Sequence, residues 1–216
     1  NNKSPGCDGL PADWYKVFWT DIKHLLVEAL NYSIDNEKLS TTQRQGVMSL
    51  LPKKDKNYLV LKNWRPLSLL TTDYKLYSKT LALRLKKVII NIINEDQTGF
   101  LKDRYIGEKI NKILNVLDIT NEEEIPGVIL SIDFEKAFDS LEWEYLYRTL
   151  KAFDFGDNFI KYVKILYTDI YNCIYNNGWR SDFFNLNRGL RQGCPISPYL
   201  FLISVEILGT ALRQND

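Results

Sequence analysis

Asp133 is the residue whose surroundings first indicate chemistry. It lies near the carboxyl end of residues 127–134, where apolar side chains alternate with a second set that becomes polar towards the end of the run. This period of two predicts a β-strand with one apolar face. A carboxylate fixed on such a strand offers the oxygen ligands that Mg²⁺ prefers. An aspartate that only caps the turn after a strand has the same pattern, so both interpretations are open on this segment alone.

A second segment with the composition of a binding site is GLRQGCPISPYLF at residues 189–201. Gly189 and Gly193 permit the close approach of a ligand backbone, and the Gln192 amide both donates and accepts hydrogen bonds. The helix expected to begin at Ser197 can direct its N-terminal N–H groups towards a phosphate. Taken alone, the segment is equally typical of a glycine-rich helix start.

The elements that must position these residues are helices and short strands in irregular order, which favours the α+β class. Asp139 and Glu142 are expected to form a capping box, and Ser197 is expected to cap the last helix. A β-hairpin is expected over residues 172–186, with its turn at 176–178. The periodicity predicts further helices over residues 11–30, 73–93, 107–117 and 159–167, and extended segments over 46–51 and 63–70.

Charge is unevenly distributed along the chain, although its net value is only +1. Residues 43–87 hold eleven Lys or Arg and two acidic residues, so this segment carries +9 and the remainder carries −8. A basic block of this size could neutralise phosphates. Its second half, from Lys75 to Lys87, is more typical of a solvated helix face.

Three function classes are not expected. The three cysteines are widely spaced, which argues against a disulfide framework and fits a reducing, intracellular compartment. No apolar run is long enough to cross a bilayer. The one histidine, His24, lies in a predicted amphipathic helix, so a histidine-based catalytic triad is improbable.

Together these segments resemble reverse transcriptases, most closely those of LINE-type (non-LTR) retrotransposons. The resemblance rests on five motifs in family order: SPGCDGL at 4–10, NWRPLSL at 63–69, QTGFL at 97–101, SIDFEKAFD at 131–139 and RQGCPISP at 191–198. It implies the fingers and part of the palm of a right-hand polymerase, helix-rich with a small antiparallel palm sheet. The implied domains are fingers over residues 1–125 and a partial palm over 126–216.

The resemblance implies RNA-directed DNA synthesis from a deoxynucleoside triphosphate, a DNA primer and an RNA template. In such enzymes two Mg²⁺ ions assist attack of the primer 3′-hydroxyl on the α-phosphate. Asp133 matches the catalytic carboxylate that bridges the ions, and the backbone carbonyl of Phe134 matches a further ligand.

The resemblance also implies which residues contact the nucleotide. Arg65 matches an arginine that grips the triphosphate, and Lys53 or Lys54 would contact its β- and γ-phosphates. Phe138 matches the aromatic side chain that excludes a ribose 2′-hydroxyl, and Gln192 would lie beside the nucleotide sugar and base.

Other residues are expected to contact nucleic acid. Lys3 and the turn that begins Ser4-Pro5-Gly6 would lie against the template RNA. Arg191 and Gly193 are expected nearer the template than Gln192. Arg104 is a plausible contact with the nucleic-acid backbone, although surface charge explains it equally well.

A second carboxylate motif, usually a Tyr/Phe-Ala-Asp-Asp hairpin, does not occur in these 216 residues. We therefore expect a fragment that is inactive alone and that works with the rest of its own polyprotein, a thumb and an endonuclease domain. The alternative is a decayed or domesticated module that binds RNA without catalysis. An unrelated α+β interaction domain is improbable beside five ordered motifs. The family implies action in the nucleus or in a cytoplasmic ribonucleoprotein.

Overall fold

The structure is a computed structural model that describes residues 4–102 and 104–214. Helices dominate it, and short strands interrupt them without a regular βαβ repeat. The helices within those residues are α1 (Ala12–Val17), α2 (Trp19–Asp35), α3 (Thr41–Arg44), α4 (Thr72–Leu85), α5 (Ile106–Glu122), α6 (Ala137–Ser140), α7 (Trp143–Ala152), α8 (Asp157–Tyr167) and α9 (Ser197–Gln214). The expected α+β class is confirmed.

One sheet joins the two halves of the described chain. Its strands are β1 (Gln45–Pro52), β2 (Trp64–Leu69), β3 (Tyr171–Asn176), β4 (Trp179–Arg180) and β5 (Phe184–Asn185). The strand order is β2-β1-β3-β4, and β5 also pairs with β3. The β1–β2 and β3–β4 pairs are antiparallel, whereas β1 and β3 run parallel. The expected antiparallel sheet is therefore a mixed sheet, and its strands come from both sides of residue 125; the division into fingers and palm stays a prediction.

Most predicted helices are present, with changed ends. The helix expected over 11–30 is broken at Phe18 and continues to Asp35. The helix expected over 73–93 ends at Leu85, and a 3₁₀ turn at Ile89–Asn91 follows it. This change of direction lets Ile89 and Ile93 join the core, where they are at most 2 % exposed.

The strand expected over residues 127–134 is not formed, and this prediction is wrong. The segment has no regular structure and no strand partner among the described residues. Val128 and Leu130, on its apolar face, are 94 % and 78 % exposed. Alternation of side chains defines the faces of a strand, but only a neighbouring strand satisfies its backbone N–H and C=O groups.

Two predicted caps also differ. Asp139 lies inside the short helix α6 rather than at a helix start, and Glu142 directly precedes α7, so they do not form a capping box. Ser197 is the first residue of α9, and its buried hydroxyl donates to the Arg191 carbonyl oxygen.

The core lies where α4, α7, α8 and α9 meet. It also takes in the apolar residues of the loop before α9, namely Leu190, Cys194 and Ile196. This packing gives that loop a rigid base. A helix outside the core, α5, buries none of its residues. None of the described helices is long and apolar enough to cross a membrane.

Candidate functional site

Backbone hydrogen bonds join the two segments that carry the strongest motifs. The Leu190 N–H donates to the Phe138 carbonyl over 2.7 Å, and the Gly189 N–H donates to the Leu141 carbonyl over 2.8 Å. The Trp143 indole N–H closes the junction from α7 by donating to the Gly189 carbonyl over 2.8 Å. Residues 138–142 and 188–192 therefore form one continuous wall.

Gly189 is required at this junction. Its φ of +88° lies in the left-handed region, and a Cβ atom there would lie 2.8 Å from the carbonyl oxygen of Asp139. Any other residue would be strained and would also push the two segments apart.

Side chains link the same two segments. The Gln192 amide Nε2 donates to Asp139 Oδ1 over 3.1 Å. Because a carboxylate only accepts, the amide nitrogen faces Asp139 and the amide oxygen is left to accept from another partner. Arg188 and Glu142 form an exposed ion pair at 3.2 Å. The sequence predicts Asp139 only in a capping box and does not predict this contact with Gln192.

A cleft of about 380 Å³ opens beside this wall. Met48, Pro66 and Ser68 of the β1–β2 pair form one side, and Asp139 and Gln192 lie on the other. A larger and mostly apolar groove of about 1530 Å³ runs along α2 towards α4 and contains none of the expected site residues. The smaller cleft is therefore the candidate site.

Arg65 and the two lysines of the β1–β2 hairpin have different surroundings. Arg65 is exposed on β2, directly across from Leu51, and its guanidinium has no hydrogen-bond partner among the described residues. Lys53 donates its ammonium group to the Lys62 carbonyl over 2.9 Å. Lys54 is exposed in the turn and has no such partner among the described residues. The side chains of Arg65 and Lys54 are thus available to an anion, as are those of the exposed Lys56 and Lys62 in the same hairpin.

The leading motif packs on the end of β2. A Cβ atom at Gly6 would lie 2.5 Å from the backbone nitrogen of Thr71, so only glycine fits there. Ser4 is exposed and Pro5 is half-buried beside it, whereas Lys3 lies outside the described residues. Gly193, at φ +82°, approaches the Ser68 carbonyl of the same strand.

Arg191 occupies a different position from the expected one. It is 3 % exposed, and its guanidinium donates to the carbonyls of Gln43 and Gln45 over 3.0 and 2.8 Å. The guanidinium carbon also lies 4.5 Å from the centre of the Tyr74 ring. A direct contact with the template would require these interactions to break, so Arg191 is an internal residue here.

Arg104 is also engaged internally. Its guanidinium donates to the carbonyl oxygens of Ile90, Ile93, Asn94 and Gln97. Four acceptors account for most of the donor capacity of an arginine side chain. Arg104 therefore ties the turn after α4 together, and the sequence contains no local signal for this role.

Asp133 and Phe134 lie in the exposed segment without regular structure. Asp133 makes no hydrogen bond or ion pair with any described residue, and no three His, Cys, Asp or Glu side chains cluster within residues 4–102 and 104–214. Mg²⁺ takes six oxygen ligands, usually including several waters, and a two-ion site needs more than one carboxylate. The described residues therefore do not fit a two-ion Mg²⁺ site by themselves.

Phe138 lies in an aromatic cluster at the edge of the core. Its ring stacks on Phe201 of α9 with 4.8 Å between ring centres, and it meets Phe100 edge-on at 6.2 Å. The ring is half-buried, so this packing fixes its position while part of its surface stays accessible.

Burial controls the ionisation of Tyr74 in the core and of Asp8 in the leading motif. Tyr74 is fully buried, and this desolvation holds the pKa of its phenol well above the ordinary value. The phenol donates to the sulfur of Cys194 over 3.3 Å, which links α4 to the loop before α9. In the leading motif, partial burial raises the pKa of the Asp8 carboxyl.

The wall consists of a glycine-containing loop that rests on a helical core, and it faces a strand pair with an exposed arginine. This arrangement is typical of the fingers and palm of template-directed polymerases. Residues 51–215 match the family described as "Reverse transcriptase (RNA-dependent DNA polymerase)". The match covers more than half of the chain, so the chain belongs to the reverse transcriptase family.

Curated relatives include retrotransposon proteins. The chain is 37 % identical over its whole length to the Transposon TX1 uncharacterized 149 kDa protein of Xenopus laevis, of which it covers 16 %. It is also 31 % identical to the Retrovirus-related Pol polyprotein from type-2 retrotransposable element R2DM of Drosophila melanogaster. That match covers 68 % of this chain and 14 % of the relative. TX1 and R2 are non-LTR elements, so the expected kind of element is confirmed. The chain corresponds to about a sixth of the TX1 protein.

Proposed function

We propose that this chain supplies the nucleotide- and template-facing part of an RNA-directed DNA polymerase of a non-LTR retrotransposon. The observation that carries the proposal is the hydrogen-bonded wall of residues 138–142 and 188–192, which puts Gln192 beside a cleft whose other side is the β1–β2 pair. In the proposed reaction the primer 3′-oxygen bonds to the α-phosphorus of a deoxynucleoside triphosphate, and pyrophosphate leaves.

The exposed cations of the β1–β2 hairpin would bind the triphosphate. The fork of Arg65 suits two phosphate oxygens, and Lys54 adds a mobile point charge. Lys53 is the weaker candidate of the two lysines because its ammonium group already donates to Lys62. The free oxygen of the Gln192 amide would accept from the nucleotide, and Phe138 would lie against its sugar.

The template would pass along the opposite side of the cleft. Gly6, which follows Ser4 and Pro5, packs at the end of β2, and Gly193 approaches the same strand, so both segments would border one nucleic-acid path. Mg²⁺ dependence is supported by the family alone, and Asp133 with the Phe134 carbonyl would supply only part of a metal site. We infer that the 216 residues are inactive without further chain, such as the thumb and endonuclease parts expected from the family.

Primer extension on poly(rA)/oligo(dT) tests this proposal with the 216-residue chain and with a longer polypeptide from the same source. We expect no extension by the short chain and extension by the longer one. Asp133→Ala in the longer polypeptide should abolish synthesis, whereas Asp118→Ala, an exposed acid on α5, should leave it unchanged.

Extension by the short chain would refute the inferred inactivity, and full activity of Asp133→Ala would refute the assigned catalytic residue. The isolation of Asp133 favours one alternative, an RNA-binding module without catalysis. RNA binding by the longer polypeptide without any primer extension would establish that alternative.

A further inference from the structure

Arg191 is a buried cation without an acidic partner. Its side chain is 3 % exposed, and its donors bond backbone carbonyls rather than the carboxylate of any described residue. Its Nε atom is buried and has no hydrogen-bond partner among those residues. Burial of a charge is costly, so the remaining contacts of this guanidinium must be both strong and specific.

Those contacts reach two other parts of the fold. The two terminal nitrogens donate to the carbonyls of Gln43 in α3 and Gln45, the first residue of β1, so they bond the junction of that helix and strand. The guanidinium plane of Arg191 lies over the Tyr74 ring of α4. One rigid planar group therefore bonds a strand and stacks on a helix, which a lysine ammonium does not do.

The backbone of Arg191 is fixed as firmly as its side chain. Its carbonyl accepts from the Ser197 hydroxyl over 2.9 Å and from the Cys194 N–H over 3.2 Å. The residue therefore cannot shift without moving the start of α9. Gln192 follows it directly and takes its position from this anchor.

Strand β1 packs closely against the Arg191 side chain. Gly46 pairs with Asn172 of β3, and a Cβ atom at Gly46 would lie 2.3 Å from Asn172 Oδ1 and 3.2 Å from Arg191 Nη2. β1 continues from this point to Leu51, which pairs with Arg65 on β2. The position of Arg65 is thus coupled through β1 to the same guanidinium.

We propose that Arg191 is a positioning residue that holds the Gln192 loop at a fixed distance from the sheet that carries Arg65. It does so without touching the nucleotide. One half of the site lies on the hairpin and the other on the loop before α9. Their relative position depends on this link. The effect on nucleotide binding rests on the proposed function, whereas the effect on the loop does not.

Two variants and a matched control test the proposal in the 216-residue chain. Arg191→Met keeps the apolar stem and removes all donors, and Arg191→Lys keeps the charge without the planar fork. Arg148→Met, on α7 and away from the cleft, removes an exposed cation that pairs with Glu144 of the same helix. Hydrogen–deuterium exchange by mass spectrometry measures local opening, and a fluorescent dATP analogue with Mg²⁺ measures nucleotide affinity.

In Arg191→Met we expect about tenfold faster exchange over residues 43–47 and 189–194, with α7 and α8 changed less than about twofold. Affinity for the analogue should fall by about tenfold because the two halves of the site lose their register. Arg191→Lys should change both quantities in the same direction by less, and Arg148→Met should change neither.

Equal acceleration of exchange throughout α7, α8 and α9 would overturn the proposal, because Arg191 would then be only a core residue. A loss of affinity with unchanged exchange would also overturn it, because the guanidinium would then contact the nucleotide directly. If the unaltered chain does not bind the analogue, the proposed nucleotide site fails in this chain, and the exchange pattern still decides the positioning role. If Arg191→Met does not fold, Arg191→Lys provides the same comparison.

Discussion

Arg65 and Lys54 are exposed on the β1–β2 hairpin, and their side chains have no hydrogen-bond partner among the described residues. A cation in this state is fully available to an anion, and its charge is compensated only by solvent. Lys53, one residue away from Lys54, already donates to the Lys62 carbonyl. These local differences separate three neighbouring cations that look alike in the sequence.

Substitution of these cations should give a graded loss of nucleotide affinity. We expect Arg65→Ala to weaken binding of the fluorescent dATP analogue by about tenfold to a hundredfold, the loss of a charge-assisted, forked contact. Lys54→Ala should weaken it by a few fold, and Lys53→Ala should have the smallest effect. Fluorescence titration measures all three, and a larger effect of Lys53→Ala than of Lys54→Ala would contradict the assignment.

The accessible part of the Phe138 ring should select against ribose. In a longer polypeptide that synthesises DNA, Phe138→Ala should reduce discrimination against ribonucleotides by about ten- to a hundredfold, the range over which packing can sense one hydroxyl group. The ratio of kcat/KM for dATP and ATP measures this. Phe100→Ala removes an edge contact of the same cluster, so an equal change in that control would show that only packing is involved.

At the level of elements, the seam between residues 138–142 and 188–192 depends on a backbone that only glycine adopts. Gly189→Ala should lower the free energy of unfolding by about 2 kcal/mol or more, because it combines a strained φ with a contact against Asp139. Urea unfolding followed by circular dichroism measures this loss. Gly156→Ala is the matched control, since its φ is −60° and a Cβ atom there meets no other atom within 4 Å. Equal stability of the two variants would contradict the close approach at Gly189.

Residues 127–134 differ from that seam. Their side-chain pattern favours a β-strand, but in the described fold no other strand pairs with them. Their apolar side chains and those of α5 are exposed together; Ile110, Leu114 and Val128 are each more than half exposed. Within the described residues, helix α5 and this segment therefore leave their apolar side chains largely exposed.

At the level of the whole molecule, the buried tyrosines make the fold sensitive to alkali. Burial raises the pKa of the Tyr15 phenol to about 12 and holds those of Tyr74, Tyr77, Tyr147 and Tyr167 above the ordinary value. At a pH above about 10 the unfolded chain loses these protons and the folded chain keeps them. The folded state then binds more protons, so the free energy of unfolding falls as the pH rises.

Alkaline titration should therefore show delayed ionisation of five of the thirteen tyrosines. We expect the tyrosinate absorbance of these five at about 295 nm to appear only with the loss of helical circular dichroism. Tyr77→Phe should remove one phenol from the delayed phase. Ionisation of all thirteen before any unfolding would contradict the buried positions.

The sequence by itself determined the family, most of the helices and the motif segments, parts of which border the cleft. These features depend on local spacing, on the φ that glycine permits and on short motifs, all of which act over a few residues. Only the tertiary structure decided which cations are free: Arg191 and Arg104 look as accessible in the sequence as Arg65, but backbone carbonyls engage both. It also decided the parallel pairing of β1 with β3, the Asp139–Gln192 contact and the absence of a strand at 127–134 in the described residues. Each of these depends on partners far away along the chain, and side-chain periodicity carries no information about which distant backbone groups will meet.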